Sequence, residues 1–220
     1  IYRQREGWAY VGISLKAEDR RIYSLAVVND DHSRATIFRH PDVYQSKHLH
    51  SLTTFPSDQI LLARLLAGRQ ACYLHASGMV IDGQGLLFVG HSEAGKSTMI
   101  KMLRGQGEIL CDDRIIVRRW PEGFRIHGTW SHGELPDVSP TGAPLRAILY
   151  LDKASTNELV PLLDRRERLG QVLSHVVKPF VTADWWQKTL DLAGQIAAEV
   201  PAYRLRFDKS GQVADLLRRL

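Results

Sequence analysis

Residues Gly90 to Ser97 read GHSEAGKS, and the rest of the chain is organised around them. The stretch follows the apolar run LLFV (86–89) and precedes TMIKML (98–103), so a strand leads in and a helix leads out. This is the phosphate-loop pattern G-x-x-x-x-G-K-[ST] in the setting it requires. Gly95 lets the main chain approach a phosphate with no Cβ in the way. The N–H groups of Gly90, His91, Ser92, Glu93, Ala94, Gly95, Lys96, Ser97 and Thr98 then surround an anion at the positive end of a helix. Lys96 is expected on the outer phosphates, and Ser97 offers a hydroxyl to Mg²⁺. The expected cofactors are therefore ATP and Mg²⁺.

Just upstream, ACYLHASGMVI (71–81) and LLFVG (86–90) form a hairpin across DGQG. Downstream, GEILCDD (107–113) is a strand ending in two carboxylates. Neighbouring residues on a strand face opposite ways, so Asp112 and Asp113 can both serve the loop only if the chain curls there. One acid would handle metal and the other would accept a proton from an attacking hydroxyl. RIIVRRW (114–120) and FRIHG (124–128) pair across the turn at Pro121 to Gly123. The Gly/Pro-rich loop GTWSHGELPDVSPTGAP (128–144) is of a length that often carries function. In it Glu134 is a candidate metal ligand or water orienter, and His132 a candidate phosphate contact.

Further out, WAYVGISL and IYSLAVVN read as paired strands, and DQILLARLLAG as a helix capped by Ser57. His40, His48 and His50 occur without acids or cysteines at ligand spacing, and read as a solvated loop. After the strand LRAILYLDK come two helices, DRRERLGQVLSHVV and ADWWQKTLDLAGQIAAEV, then the strand AYRLRFD and a last helix. Trp185 and Trp186 read as core or partner-facing aromatics. The division expected is a β-rich segment over 1–56 and a catalytic domain over 57–220.

Charged and apolar fractions are those of a soluble globular protein, and no apolar run approaches membrane-spanning length. No signal-peptide pattern is present, and a start at Ile1 rather than Met points to a missing N-terminal piece. Cys72 and Cys111 sit in apolar runs and read as buried thiols of a reducing cytoplasm. The net charge of +5 is dispersed, which nucleotide phosphates suffice to explain and which does not point to nucleic acid.

Taken together, LHASGMVIDGQGLLFVGHSEAGKST, LCDDR and GTWSHGE resemble the HPr kinase/phosphorylase superfamily, in particular its smaller HPr-kinase-related members. The resemblance is strong over residues 73–134, weaker beyond, and absent from the first fifty-odd. It implies an α/β, α+β-like fold: the mixed-sheet core shared with phosphoenolpyruvate carboxykinase, with N-terminal β hairpins and C-terminal helices. It also implies roles. His75 matches the histidine on the transferred phosphate, Asp112 the proton-accepting acid, Asp113 its metal-associated neighbour, and Glu134 the metal-binding glutamate. The activity implied is transfer of the γ-phosphate of ATP to a hydroxyl, of a serine in a peptide or protein or of a small molecule. Hexamers occur in the family, so a homo-oligomer is compatible. Two departures stand out. Glu93 occupies a position where the family usually has Gly, and a carboxylate facing inward there would repel a nucleotide. The segments used for phosphorolysis have no counterpart. The alternatives are a nucleotide-binding regulatory module with little turnover, and a carboxykinase-like enzyme, for which no basic set for a dicarboxylic acid stands out.

Overall fold

The computed structural model describes residues 1–13, 19, 21–41, 57–179 and 182–220. His48 and His50 lie outside the described residues. The chain divides into two compact units, Ile1–Leu66 with Lys178–Val181, and Ala67–Val177 with Thr182–Leu220.

The first unit is an antiparallel meander of four strands in sequence order: β1 (Tyr2–Gln4), β2 (Gly7–Ile13), β3 (Ile22–Asn29) and β4 (Ala35–Arg39). Helix α1 (Ser57–Ala67) follows. Alternation along the strands puts Tyr10, Ala26 and Val28 into one small core, which Trp8, Ile37 and Leu61 flank. His40 is not in open solvent: its ring lies 5.8 Å from that of Tyr23.

The second unit is built on an eight-stranded mixed sheet. Its elements are β5 (Ala71–Ile81), β6 (Gln84–Val89), α2 (Lys96–Met102), β7 (Glu108–Cys111), β8 (Arg114–Trp120), β9 (Gly123–His127), β10 (Gly142–Lys153), β11 (Glu158–Pro161), α3 (Arg165–His175), α4 (Ala183–Glu199), β12 (Ala202–Phe207) and α5 (Val213–Leu217). The strand order is β11-β12-β10-β6-β5-β8-β9, with β7 also on β5 and β9 returning to β10. Strands β6, β10 and β12 run parallel; the other pairings are antiparallel. The β5–β6 hairpin turns on Asp82 and Gly83 alone, both at positive φ, with Ile81 paired to Gln84. That is the two-residue turn geometry that Asp-Gly favours.

Both faces of this sheet are buried, which accounts for its uninterrupted apolar runs. Leu87, Val89, Ile148 and Tyr150 face a core shared with Leu192 and Ile196 of α4. Their neighbours Leu86, Phe88, Ala147 and Leu149 face the opposite core, with Met99 and Ile100 of α2 and Val213 and Leu217 of α5. Trp185 is buried in the first of these cores and stacks on Trp186, 5.8 Å between centroids. Both cysteines are buried free thiols, and burial pushes Cys72 up to about 12. No helix among the described residues is long and apolar enough to cross a membrane.

Candidate functional site

The loop Gly90–Gly95 leaves the carboxyl end of β6 and enters α2, with Gly95 as its cap at φ 101°. Only Gly fits there comfortably, since a Cβ would also lie 2.8 Å from the Phe207 ring. Lys96 is buried; its Nζ donates to the carbonyls of Gly90 (2.8 Å) and His91 (3.2 Å), so it ties the loop into a ring. Burial holds its pKa below the usual lysine value, partly offset by Asp113 and Asp112. Glu93 is exposed and adopts φ 68°, the left-handed conformation in which a glycine would carry no Cβ strain.

Strand β7 stops at Cys111, and Asp112 and Asp113 form a bend before β8. The curl that the pair requires is thus present, and β5 holds it. Ser77 Oγ donates to the Asp112 carbonyl at 3.1 Å, and Ala76 N to the Asp113 carbonyl at 3.0 Å. The two carboxylates then part company. Asp112 is 2% exposed and accepts from Gly133 N (2.5 Å), Leu135 N (3.0 Å) and Ser97 Oγ (3.2 Å). Asp113 is more open and lies 3.3 Å from His75 Nε2 and 3.4 Å from Arg114 Nη1, with Ser131 Oγ at 3.5 Å. Burial alone would raise the Asp113 pKa, but the His75 hydrogen bond and the charges of Arg114 and Lys96 outweigh it, and the net shift is downward.

These groups line one open cleft of about 400 Å³: His75, Ser92, Glu93, Gly95, Lys96, Ser97, Thr98, Asp112, Asp113, Gly133, Glu134 and Lys153. Glu134 is at its rim, where its carboxylate pairs with Lys101 Nζ at 3.2 Å rather than with Ser97. His132 is exposed, with Nδ1 3.3 Å from the Gly133 carbonyl, and does not line the cleft. Gly90, His91 and Ala94 line a different cavity on the α3 side. Among the described residues no three His, Cys, Asp or Glu side chains make a group that could hold a metal. The donor set of the cleft nonetheless fits Mg²⁺, which takes one or two protein oxygens and completes its shell with water and phosphate.

Two cleft residues have no signature in the sequence pattern. Lys153 ends β10, which is parallel to β6 with Tyr150 opposite Val89, so its side chain meets the loop at the strands' shared carboxyl end. The rule that ligands of open α/β sheets sit at that end could have found it. Gly133 contributes through its N–H, and a Cβ there would press to 3.3 Å from the Asp112 carboxylate.

Residues 57–219, three quarters of the chain, match the family described as SynChlorMet cassette protein ScmC. The chain belongs to the ScmC family. The matched range holds every residue of the cleft. Outside the family, the chain is similar to the sn-glycerol-3-phosphate import ATP-binding protein UgpC of Bordetella parapertussis, 32% identical over 114 residues. It is similar also to the UgpC of Ruegeria pomeroyi, 28% identical over 112 residues. Each match covers 43% of this chain and 32% of the relative, so the chain spans about a third of the length of the curated relatives it matches. Among solved structures, the Hpr(Ser) kinase/phosphatase from Coxiella burnetii aligns at 14% identity and a TM-score of 0.40, over 67% of this chain and 94% of that one.

Proposed function

We propose that the chain is an ATP- and Mg²⁺-dependent phosphotransferase of the HPr-kinase-like kind, delivering the γ-phosphate to a hydroxyl of a peptide, protein or small molecule. The observation that carries this reading is the convergence of a Lys96-closed phosphate loop with the His75–Asp113 pair in one open cleft. Nucleotide binding is further supported by the similarity to the two import ATP-binding proteins. The loop amides and Lys96 bind the phosphate chain, with Lys153 adding positive charge beside the loop. Mg²⁺, when bound, would offset phosphate charge from the Ser97 hydroxyl, with Asp112 oriented behind it.

The two acids take different parts in this proposal from those that the resemblance implies. Asp112 is enclosed by two amides and Ser97, which suits it to orient the serine. Asp113 faces the cleft beside His75, so it is the group placed to accept the proton of an entering hydroxyl, while His75 steadies the transferred phosphate. Glu134 would join a metal shell only after leaving Lys101.

Calorimetry with ATP and Mg²⁺ beside a single-turnover assay with γ-labelled ATP tests the reading. Saturable binding with label appearing on a serine peptide or small alcohol is expected; absence of ATP binding would remove the proposal. One observation favours a second reading, a nucleotide-binding regulatory module. Glu93 adds a negative charge at the mouth of the cleft, in a strained conformation. Tight ATP binding with no transfer to any hydroxyl or to water would favour that module.

A further inference from the structure

Behind the phosphate loop, on the α3 side, lies a second cavity of about 260 Å³. It is smaller than the range usual for drug-sized ligands, roughly 300–1,000 Å³. Gly90, His91 and Ala94 form one wall, β10 and β12 the floor, and Gln171 and His175 of α3 the far side. His175 is 5% exposed, and its Nε2 is buried with no hydrogen-bond partner among the described residues. Its other ring nitrogen lies 2.8 Å from the Gln171 carbonyl. Ser174 Oγ is 3.0 Å from the same nitrogen but donates its own proton to the Gln171 carbonyl, and a carbonyl only accepts, so Nδ1 carries the proton and in the neutral ring Nε2 is left as an acceptor. Burial, the first cause, favours that neutral ring, as do the nearby His91, His75 and Lys96.

Two other groups of the cavity, Tyr150 and Arg204, are donors. Tyr150 is buried, and its hydroxyl has no hydrogen bond to a described residue. Burial raises its pKa far above the usual phenol value, so it stays protonated. Arg204 Nη2 is 3.0 Å from Glu167, which leaves its remaining N–H groups for other acceptors. The one carboxylate in the lining, Asp152, has Arg206 Nε at 3.9 Å. The exposed His91 ring sits 5.1 Å from the His175 ring. A ligand for this cavity therefore needs one hydrogen-bond donor for His175, one anionic or acceptor end for Tyr150 and Arg204, and a small body.

We infer that this cavity binds a small hydroxy acid, its hydroxyl donating to His175 Nε2 and its carboxylate received by Tyr150 and Arg204. The site is separate from the cleft, so the inference stands whether or not the chain transfers phosphate. A buried nitrogen with no partner among the described residues is costly unless something fills its lone pair, and such groups call for a ligand or water.

The test is calorimetry on the full chain with L-serine and D-glycerate, against L-alanine and propionate, which lack the hydroxyl. Imidazole ¹⁵N spectra are recorded in parallel. Saturable binding of serine or glycerate with a shift at His175 Nε2 is expected, and roughly tenfold or greater weakening without the hydroxyl, the size of one hydrogen bond. His175→Phe should weaken the binding by at least tenfold, as loss of the ligand hydroxyl does, and the near-isosteric Tyr150→Phe should weaken it by about tenfold, with unchanged circular dichroism showing both variants folded. Three results would overturn the inference. One is no saturable binding of either hydroxy acid to the wild type. Another is equal binding of alanine or propionate. The third is binding lost in Lys96→Ala but kept in His175→Phe, which would move the anion to the phosphate loop.

Discussion

The phosphate loop separates two hollows of opposite character. On one side the cleft is open and charged, with Lys96, Lys153, Asp112, Asp113 and Glu93 around it. On the other the cavity is small and floored by the sheet, and its distinctive groups are a neutral His175 and a protonated Tyr150. One loop serves both through different residues: Ser92, Glu93 and Gly95 line the cleft, while Gly90, His91 and Ala94 line the cavity. A loop that binds phosphate must aim its amides one way, so its back necessarily presents a second wall. What that wall meets is set by α3, a helix distant in sequence.

The largest expected effect separates the two acids of the cleft. Asp113→Asn should lower phosphoryl transfer by about 10²–10⁴-fold, the usual worth of a positioned base, with ATP affinity little changed. Full transfer in that variant would return the proton to Asp112. Asp112→Ala should act first on stability. It leaves the buried Leu135 amide without its acceptor, at about 1–3 kcal/mol, and turns the exposed Gly133 amide to water, read as a lowered chemical-denaturation midpoint. A midpoint within error of wild type would mean that the loop closes without it.

Glu93→Gly probes the loop itself. It removes a left-handed residue worth about 1–2 kcal/mol of strain and a negative charge at the cleft mouth. ATP should bind several-fold more tightly by calorimetry, whereas hydroxy-acid binding in the cavity should not change. Weaker ATP binding would show that the carboxylate contributes to the site.

The smallest effect is in the acid limb of stability. The Asp113 pKa is lowered in the folded chain, so its contribution is complete above the ordinary carboxylate value of about 3.9 and is lost as pH falls through the folded value. The His175 pKa is lowered too, so its contribution is complete above about 6.5 and lost on further acidification. Urea midpoints against pH should therefore flatten below about pH 3.9 in Asp113→Asn and below about pH 6.5 in His175→Phe. Identical profiles for the two variants would erase the distinction between the hollows.

Much of the second unit is legible in the chain. The run 71–81 is mostly apolar and ends at Asp-Gly, and it is the strand β5 to the residue. The helices over 165–175 and 183–199 follow their apolar spacing, capped by Asp164 and Thr182. Shorter elements are less visible. ELVP carries no turn signal and too few residues for periodicity, yet it pairs with β12 as β11. The tandem acids show a related limit: adjacency makes them a pair on paper, but Ser77 and Ala76 of β5, some 35 residues away, decide which carboxylate is buried.

Local chemistry in the sequence determined the bend that can receive phosphate, because glycine, lysine and serine at those intervals, between a strand and a helix, leave the backbone few other conformations. It determined equally the alternation that buries both faces of the sheet. Only the tertiary structure decided that Asp112 turns inward to Ser97 while Asp113 meets His75, that Lys153 reaches the loop, and that His175 keeps a bare nitrogen beside it. Each of those depends on contacts between strands and helices far apart in the chain, where sheet register and packing, not neighbouring residues, set the distances.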